Sequence, residues 1–212
     1  MSRVSRQPPV SGVSRPRVLF VNLPHRERVQ RRWVASYYAP NFLIPPVELM
    51  GLATLLRERS LAEVALVDAV AEGLDAAAIV SRFASWRPTL VVALAGFATL
   101  PDDLEALADL RSGLGVSTAL FGYLPTHAPE PVARHRGVDF VLRGEPEPVL
   151  EALVEALAAG RDPAGLPGLA LIREGELASG PILPRIRDLD ALPAPDHGLV
   201  DLNRYNESFV PR

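Results

Sequence analysis

Three short segments of the 212-residue chain combine glycine with polar side chains in a pattern that suits holding a ligand. The first is Ala95-Gly96-Phe97-Ala98-Thr99-Leu100-Pro101-Asp102. Gly96 lets a bulky ligand approach the backbone, and Thr99 offers a hydroxyl beside a helix start. The second is Phe121-Gly122-Tyr123-Leu124-Pro125-Thr126-His127, again a glycine with a hydroxyl nearby, and the third is Arg143-Gly144-Glu145-Pro146-Glu147. If all three follow strands of one sheet, their glycines and polar groups form a shallow trough for an elongated ligand.

The elements that would position them read clearly. Short apolar runs at 17–22, 62–68, 89–95, 116–121 and 138–142 predict five buried strands. Helical patterns lie between them. Pro45-Pro46 opens one through Leu56, Asp75 to Ala84 forms another, and Pro101-Asp102-Asp103 starts a third that runs to about Arg111 before Gly113. Pro129 to His135 gives a short helix, and Val149 to Ala159, opened by Pro146, ends at Gly160. Strand–helix alternation of this kind predicts an α/β fold, Rossmann-like (flavodoxin-like), with a doubly wound five-stranded parallel sheet. Right-handed crossovers bring the strands' C-terminal ends to one edge, where open α/β sheets bind ligands. The rim is then made by the loops at 22–46, 68–74, 96–101, 122–129 and 143–147. Residues 25–45 read as one long loop, of a length that is usually functional or mobile.

Outside residues 16–160 the pattern changes. Residues 1–15 read as a disordered leader. Within 161–186, Leu169 to Leu177 predicts a β-hairpin turning at Glu174-Gly175. Residues 187–212 are proline-rich and read as an extended linker toward a further domain.

Bulk composition narrows the function classes. A balance of 22 basic against 25 acidic residues gives no basic field for nucleic acid. The absence of cysteine excludes disulfides, thiolate zinc sites and a cysteine-held iron–sulfur cluster in this chain, and fits a cytoplasmic location. No run approaches the roughly 20 apolar residues of a membrane span. No Gly-x-Gly-x-x-Gly turn follows the first strand and no lysine cradles a phosphate, so a flavodoxin-like or nucleotide-binding domain ranks last.

The motifs together resemble the cobalamin (vitamin B12)-binding domain of cobalamin-dependent radical SAM enzymes, without the radical SAM barrel. Residues 95–102 are similar to the Ser-x-Leu segment that lines the pocket for the cofactor's nucleotide tail, and Gly122 falls where that family has a Gly-Gly pair. Pro45-Pro46 with Leu49 and Leu52-Ala53, the turn Gly144-Glu145-x-Glu147, and Asp188-Leu189-Asp190-x-Leu192-Pro193 complete the likeness in order along nearly the whole chain. The resemblance implies a carrier that presents the corrin to a radical SAM catalytic domain or subunit for methyl transfer or a related radical modification. It implies cofactor contacts at Gly96, Phe97, Thr99, Gly122, Tyr123, Thr126, His127, Gly144 and Glu145, with no catalytic residue and no protein metal ligand assigned. The tail would thread between the strand ends at 96–99 and 122–126.

Three departures stand out. Ala95 replaces the family's serine, and Phe121 replaces the first glycine of its pair. The Asp-x-His-x-x-Gly motif that supplies a histidine below cobalt is absent, since Asn22-Leu23-Pro24-His25-Arg26-Glu27 has different spacing. This argues against histidine-ligated cobalt. The replacements motivate a second reading, a degenerate interaction or regulatory domain that keeps the fold without the cofactor.

Each marked residue also has a plainer role. His25 either approaches cobalt or is a solvated loop histidine, and His127 either contacts ligand or lies on the surface. Thr99 caps a helix with or without touching ligand. Gly122 and Gly144 also suit plain turns, and Glu145 and Glu147 suit a helix's first turn. Trp33, Tyr37 and Tyr38 either line a corrin face or anchor the loop. Met50 and the Leu49–Leu56 stripe are core, and His135 and His197 are surface positions.

Overall fold

A computed structural model describes residues 15–33, 35–38 and 42–205. The expected leader, residue 15 apart, and the last seven residues of the expected linker lie outside them. Strand β1 (Arg17–Asn22) is followed by a small antiparallel hairpin, β2 (Val29–Arg32) and β3 (Ala35–Tyr38). Helix α1 (Val47–Glu58), strand β4 (Glu63–Asp68), helices α2 (Ala69–Glu72) and α3 (Ala76–Phe83), and strand β5 (Leu90–Leu94) come next. Then follow α4 (Leu100–Leu114), β6 (Ser117–Phe121), α5 (Tyr123–His127), α6 (Pro129–Ala133), β7 (Phe140–Leu142) and α7 (Pro146–Ala158). Strands β8 (Leu169–Arg173) and β9 (Glu176–Ser179) close the series, and three short 3-10 turns punctuate residues 189–204.

The main sheet has the order β4-β1-β5-β6-β7-β8-β9. Its first five strands are parallel, as the alternation predicts, and β8 and β9 continue it antiparallel. The hairpin expected at 169–177 turns at Glu174-Gly175 and adds two strands to the sheet. Alternate residues of each central strand feed opposite faces. Val18, Phe20 and Val92 pack against α1 and α7, whereas Leu19, Val21 and Val91 pack toward α3 and α4. Both faces are therefore covered, which is why β5 reads as an unbroken apolar run with every residue buried.

Several local expectations change. Residues 25–45 are not one loop, because β2 and β3 lie within them. Residues 123–127 form helix α5 where a loop was expected, so Tyr123, Thr126 and His127 share one helical turn and a half. Gly113 sits inside α4 against Val80, and Gly115, in the left-handed conformation, ends that helix instead. The side chain of Asp68 caps α2 by accepting from the Ala71 amide at 3.0 Å, and Asp75 caps α3 by accepting from Ala78 at 2.8 Å.

The tail lies against the domain. Arg57 pairs with Asp196 at 2.7 Å, the Asp196 amide donates to Thr54 Oγ1 at 2.9 Å, and Tyr205 Oη donates to Asp68 Oδ2 at 2.9 Å.

Candidate functional site

The C-terminal edge of the parallel strands divides into two parts. At the ends of β1 and β5, where the strand order reverses, the space is filled by the protein itself. Arg31, from the β2–β3 hairpin, reaches over the edge and pairs with Asp103 of α4 at 2.7 Å, their side chains 1% and 0% exposed. Both Arg31 Nε and Nη2 donate to Asp103 Oδ1, at 3.0 and 2.7 Å. The other oxygen, Oδ2, accepts from the Gly96 amide at 2.7 Å and from Thr99 Oγ1 at 2.8 Å. Arg31 Nη1 donates to Asn22 Oδ1 at 3.1 Å and to the Leu23 carbonyl at 2.9 Å. Asn22 Nδ2 in turn donates to Asp68 Oδ1 at 2.8 Å. Every charge here is met, the condition under which a buried pair is tolerated.

This packing explains Gly96 and Thr99. A Cβ on Gly96 would stand 2.2 Å from Thr99 Oγ1 and 2.7 Å from Ser36 Cβ, so the room that glycine makes is taken by the hairpin and by threonine. The Ala98 amide donates to Ser36 Oγ at 2.6 Å. Thr99 occupies the N-cap position of α4, but its hydroxyl goes to Asp103, leaving it neither a capping side chain nor an open ligand contact.

At the ends of β6 and β7 the edge opens. A cavity of about 570 Å³ lies where α1 and α7 begin, with Trp33, Phe121, Thr126, Gly144 and Pro146 among its walls. Trp33 stacks on Phe121 with ring centroids 6.1 Å apart and 30° between planes, giving the cavity a flat aromatic end. Glu48 holds the hairpin in place, its Oε1 accepting from Arg32 Nε at 3.1 Å and from the Trp33 amide at 3.3 Å. Its Oε2 is the one buried side-chain oxygen among the described residues without a hydrogen-bond partner. Glu145 accepts from the Ile186 amide. Burial pushes the Glu147 carboxyl above its ordinary pKa, and the neighbouring Glu145 adds to the shift.

Of the nine residues singled out from sequence, Thr126, His127, Gly144 and Glu145 line this cavity. Thr126 Oγ1 accepts from the Gly144 amide at 3.1 Å, so its hydroxyl also fixes the third turn. Gly122 separates the two parts. Its φ of +135° is open only to glycine, and a Cβ there would stand 2.8 Å from the Ala95 carbonyl. Phe97 and Tyr123 project from the rim, Tyr123 against the His127 ring at 4.5 Å. Tyr37 and Tyr38 are exposed as well, making the rim aromatic.

His25 is not a solvated loop residue. Its side chain is 6% exposed, and its Nε2 lies 3.4 Å from Asp102 Oδ2. The Glu27 amide donates to its Nδ1 at 3.0 Å, so both ring nitrogens are engaged. It borders a separate cavity of about 720 Å³ on the α3–α4 flank, with Asp75, Asp102 and Asp109 among the walls.

Sequence reasoning missed Arg31, Glu48, Ile182, Leu183 and Ile186, and gave Asp103, Leu189 and Leu192 other roles, in a helix start and a linker motif. Asp103 looked like an ordinary first-turn acid. The usable signal was pairing of a loop arginine with a helix acid 72 positions away, which no local pattern displays.

Comparison with known proteins bears on the fold. The fold matches OxsB, a cobalamin-dependent S-adenosylmethionine radical enzyme solved with aqua-cobalamin and S-adenosylmethionine bound, at a TM-score of 0.68 and 19% identity. The match covers 86% of this chain and 24% of that one. It also matches TsrM, a radical S-adenosylmethionine methyltransferase from Kitasatospora setae, at a TM-score of 0.62 and 22% identity, over 94% of this chain and 35% of that one. In sequence the chain is 29% identical over 170 residues to an uncharacterized methyltransferase, PH0819, of Pyrococcus horikoshii. That match spans 79% of this chain and about a third (36%) of the relative. No family model matches the chain. The resemblance drawn from the motifs is therefore met at the level of the fold. Among the described residues no helix is long and apolar enough to cross a membrane.

Proposed function

We propose that the chain is a cobalamin-binding carrier domain that offers the corrin to a radical SAM catalytic domain or subunit. The observation that carries the reading is the cavity at the ends of β6 and β7, opening on the ligand-side edge of this fold beside an aromatic rim. Its lining suits the cofactor's nucleotide tail. The Trp33–Phe121 pair gives a flat wall, and Glu48, Glu145 and Glu147 present acceptors for amide or hydroxyl donors. Thr126, His127, Gly144 and Glu145 would hold the tail, and Phe97, Tyr37, Tyr38 and Tyr123 would face the corrin. Cobalamin, when bound, supplies a cobalt that carries a methyl group. In this reading the tail lies between 122–127 and 144–147 rather than against 96–99. With both nitrogens of His25 engaged, the protein offers no imidazole to the metal from that position.

The filled crevice at β1 and β5 bears on the alternatives. A flavodoxin-like domain binds its ligand at such a reversal of strand order. Here Arg31 and Asp103 occupy it, which weighs against a nucleotide or flavin. The same closure favours the second reading, a degenerate domain acting only through its surface, since two expected contacts are sealed.

A visible absorption titration of the chain with hydroxocobalamin, followed by gel filtration, separates the two. Co-elution of the corrin spectrum with protein is expected. Folded protein that elutes without corrin sinks the carrier reading and leaves the degenerate one.

A further inference from the structure

The segment from Pro181 to Leu192 follows β9 and runs along the cavity. Ile182, Leu183, Ile186, Leu189 and Leu192 all line it. The segment is pinned along its length. The Gly168 amide donates to the Pro181 carbonyl at 2.7 Å, the Ile186 amide donates to Glu145, and Arg59 Nη2 donates to the Ala191 carbonyl at 3.4 Å. Yet two of its apolar side chains are left uncovered, Ile182 at 48% and Leu189 at 66% exposure. Single exposed apolar residues are ordinary on a surface. These two differ in flanking one cavity whose inner walls are Trp33, Phe121 and Pro146.

We propose that residues 181–192 are a binding strap: they form the outer wall of the α1–α7 cavity, and Ile182 and Leu189 close on the heteroaromatic base of the bound nucleotide tail. The inference rests on the cobalamin reading and adds to it a segment that the sequence divides between the hairpin region 161–186 and the linker 187–212. The lining selects the ligand portion. A flat ring fits between the aromatic end wall and the strap. Glu48, Glu145 and Glu147 disfavour an acidic group at that depth, whereas Arg185, on the exposed side, suits the tail's phosphate. Covering an exposed isoleucine or leucine by a ring contributes enough apolar burial for about a tenfold effect on affinity.

The test compares Ile182→Asp and Leu189→Asp with the parent chain, and with Leu202→Asp, another exposed leucine, which does not line the cavity. Affinity is read by absorption titration with hydroxocobalamin and with cobinamide, which lacks the nucleotide, and folding by circular dichroism and melting. Both strap variants should keep the parent's melting temperature and bind hydroxocobalamin about tenfold more weakly. Leu202→Asp should bind as the parent does, and cobinamide should not distinguish any of the four. Parent uptake of hydroxocobalamin with equal uptake by both strap variants overturns the strap and leaves the carrier reading standing. Equal weakening toward cobinamide overturns the assignment to the base. A folded parent that takes up no corrin fells the carrier reading, and the strap with it.

Discussion

Gly96 and Gly122 follow neighbouring strands of one sheet, and the space beside them is used in opposite ways. Beside Gly96 the protein places its own charges: Arg31, Asp103 and Thr99 fill the crevice with hydrogen bonds to every oxygen of the Asp103 carboxylate. Beyond Gly122 it places aromatic and aliphatic walls and leaves about 570 Å³ open. A strand-end glycine makes room in both cases. What takes that room is decided by segments distant in sequence, the β2–β3 hairpin on one side and residues 181–192 on the other. The sealed part is held by a buried charge pair whose loss is costly, whereas the open part keeps an uncovered apolar wall between its polar anchors.

Breaking the sealed part should have the largest effect. Asp103→Asn leaves the Arg31 guanidinium buried without its counter-charge, a change that costs about 3–5 kcal/mol in comparable sites. For a chain of this size the melting temperature should fall by roughly 10 °C, read by calorimetry. A fall of only a degree or two would mean that water reaches Arg31 and that the crevice is not sealed.

Trp33→Ala tests the open part with an intermediate effect. Removing the indole takes away the flat wall over Phe121, but Trp33 is only partly buried and borders a cavity already. A loss of about 2 kcal/mol in urea unfolding is expected, less than for a fully buried tryptophan. A loss equal to that of Asp103→Asn would show that the hairpin, rather than the charge pair, holds the edge together.

The smallest effect concerns pH. Burial raises the pKa of both Asp68, beside the sealed crevice, and Glu147, beside the open cavity. Each binds its proton more readily when folded than unfolded, so its contribution is complete below the unfolded-state value and is lost as pH rises through the folded one. Urea midpoints should thus decline as pH rises above the ordinary carboxylate range. Each group adds at most roughly 1.4 kcal/mol per pH unit, the value of a full proton difference. Asp68→Asn and Glu147→Gln should each flatten the decline. A slope unchanged in both variants would assign the titration elsewhere.

The sheet was legible in the sequence because burial on both faces leaves an unambiguous signature. Val91-Val92-Ala93 admits no polar residue, and Pro101-Asp102 marks a helix start by its chemistry alone. The β2–β3 hairpin was not legible, because Gln30 and Arg31 are polar residues within what reads as one long loop, yet both are buried. Their burial depends on partners that only the closed fold supplies. The candidate site divides along the same line. Thr126, His127, Gly144 and Glu145 follow strands whose ends the pattern located, so their convergence followed from topology. Glu48 and Leu189 reach the cavity from α1 and from the tail, and no periodicity links either of them to a strand end.

The antiparallel pair β8–β9 has a consequence that is a matter of parity. Leu142, at the C-terminal end of β7, is paired with Leu169, where β8 begins, and β8 then runs away from that edge. Strand β9 reverses it, with Ser179 opposite Ala170, so the chain returns to the edge it left. Two added strands deliver residue 181 beside Gly144, where the Gly168 amide bonds to the Pro181 carbonyl. One added strand would have released the chain at the opposite edge, roughly 15 Å away for a five-residue strand. A deletion of β9 that kept every cavity residue would therefore still remove the strap, and an insertion at Glu174-Gly175 would spare it only by adding an even number of strands.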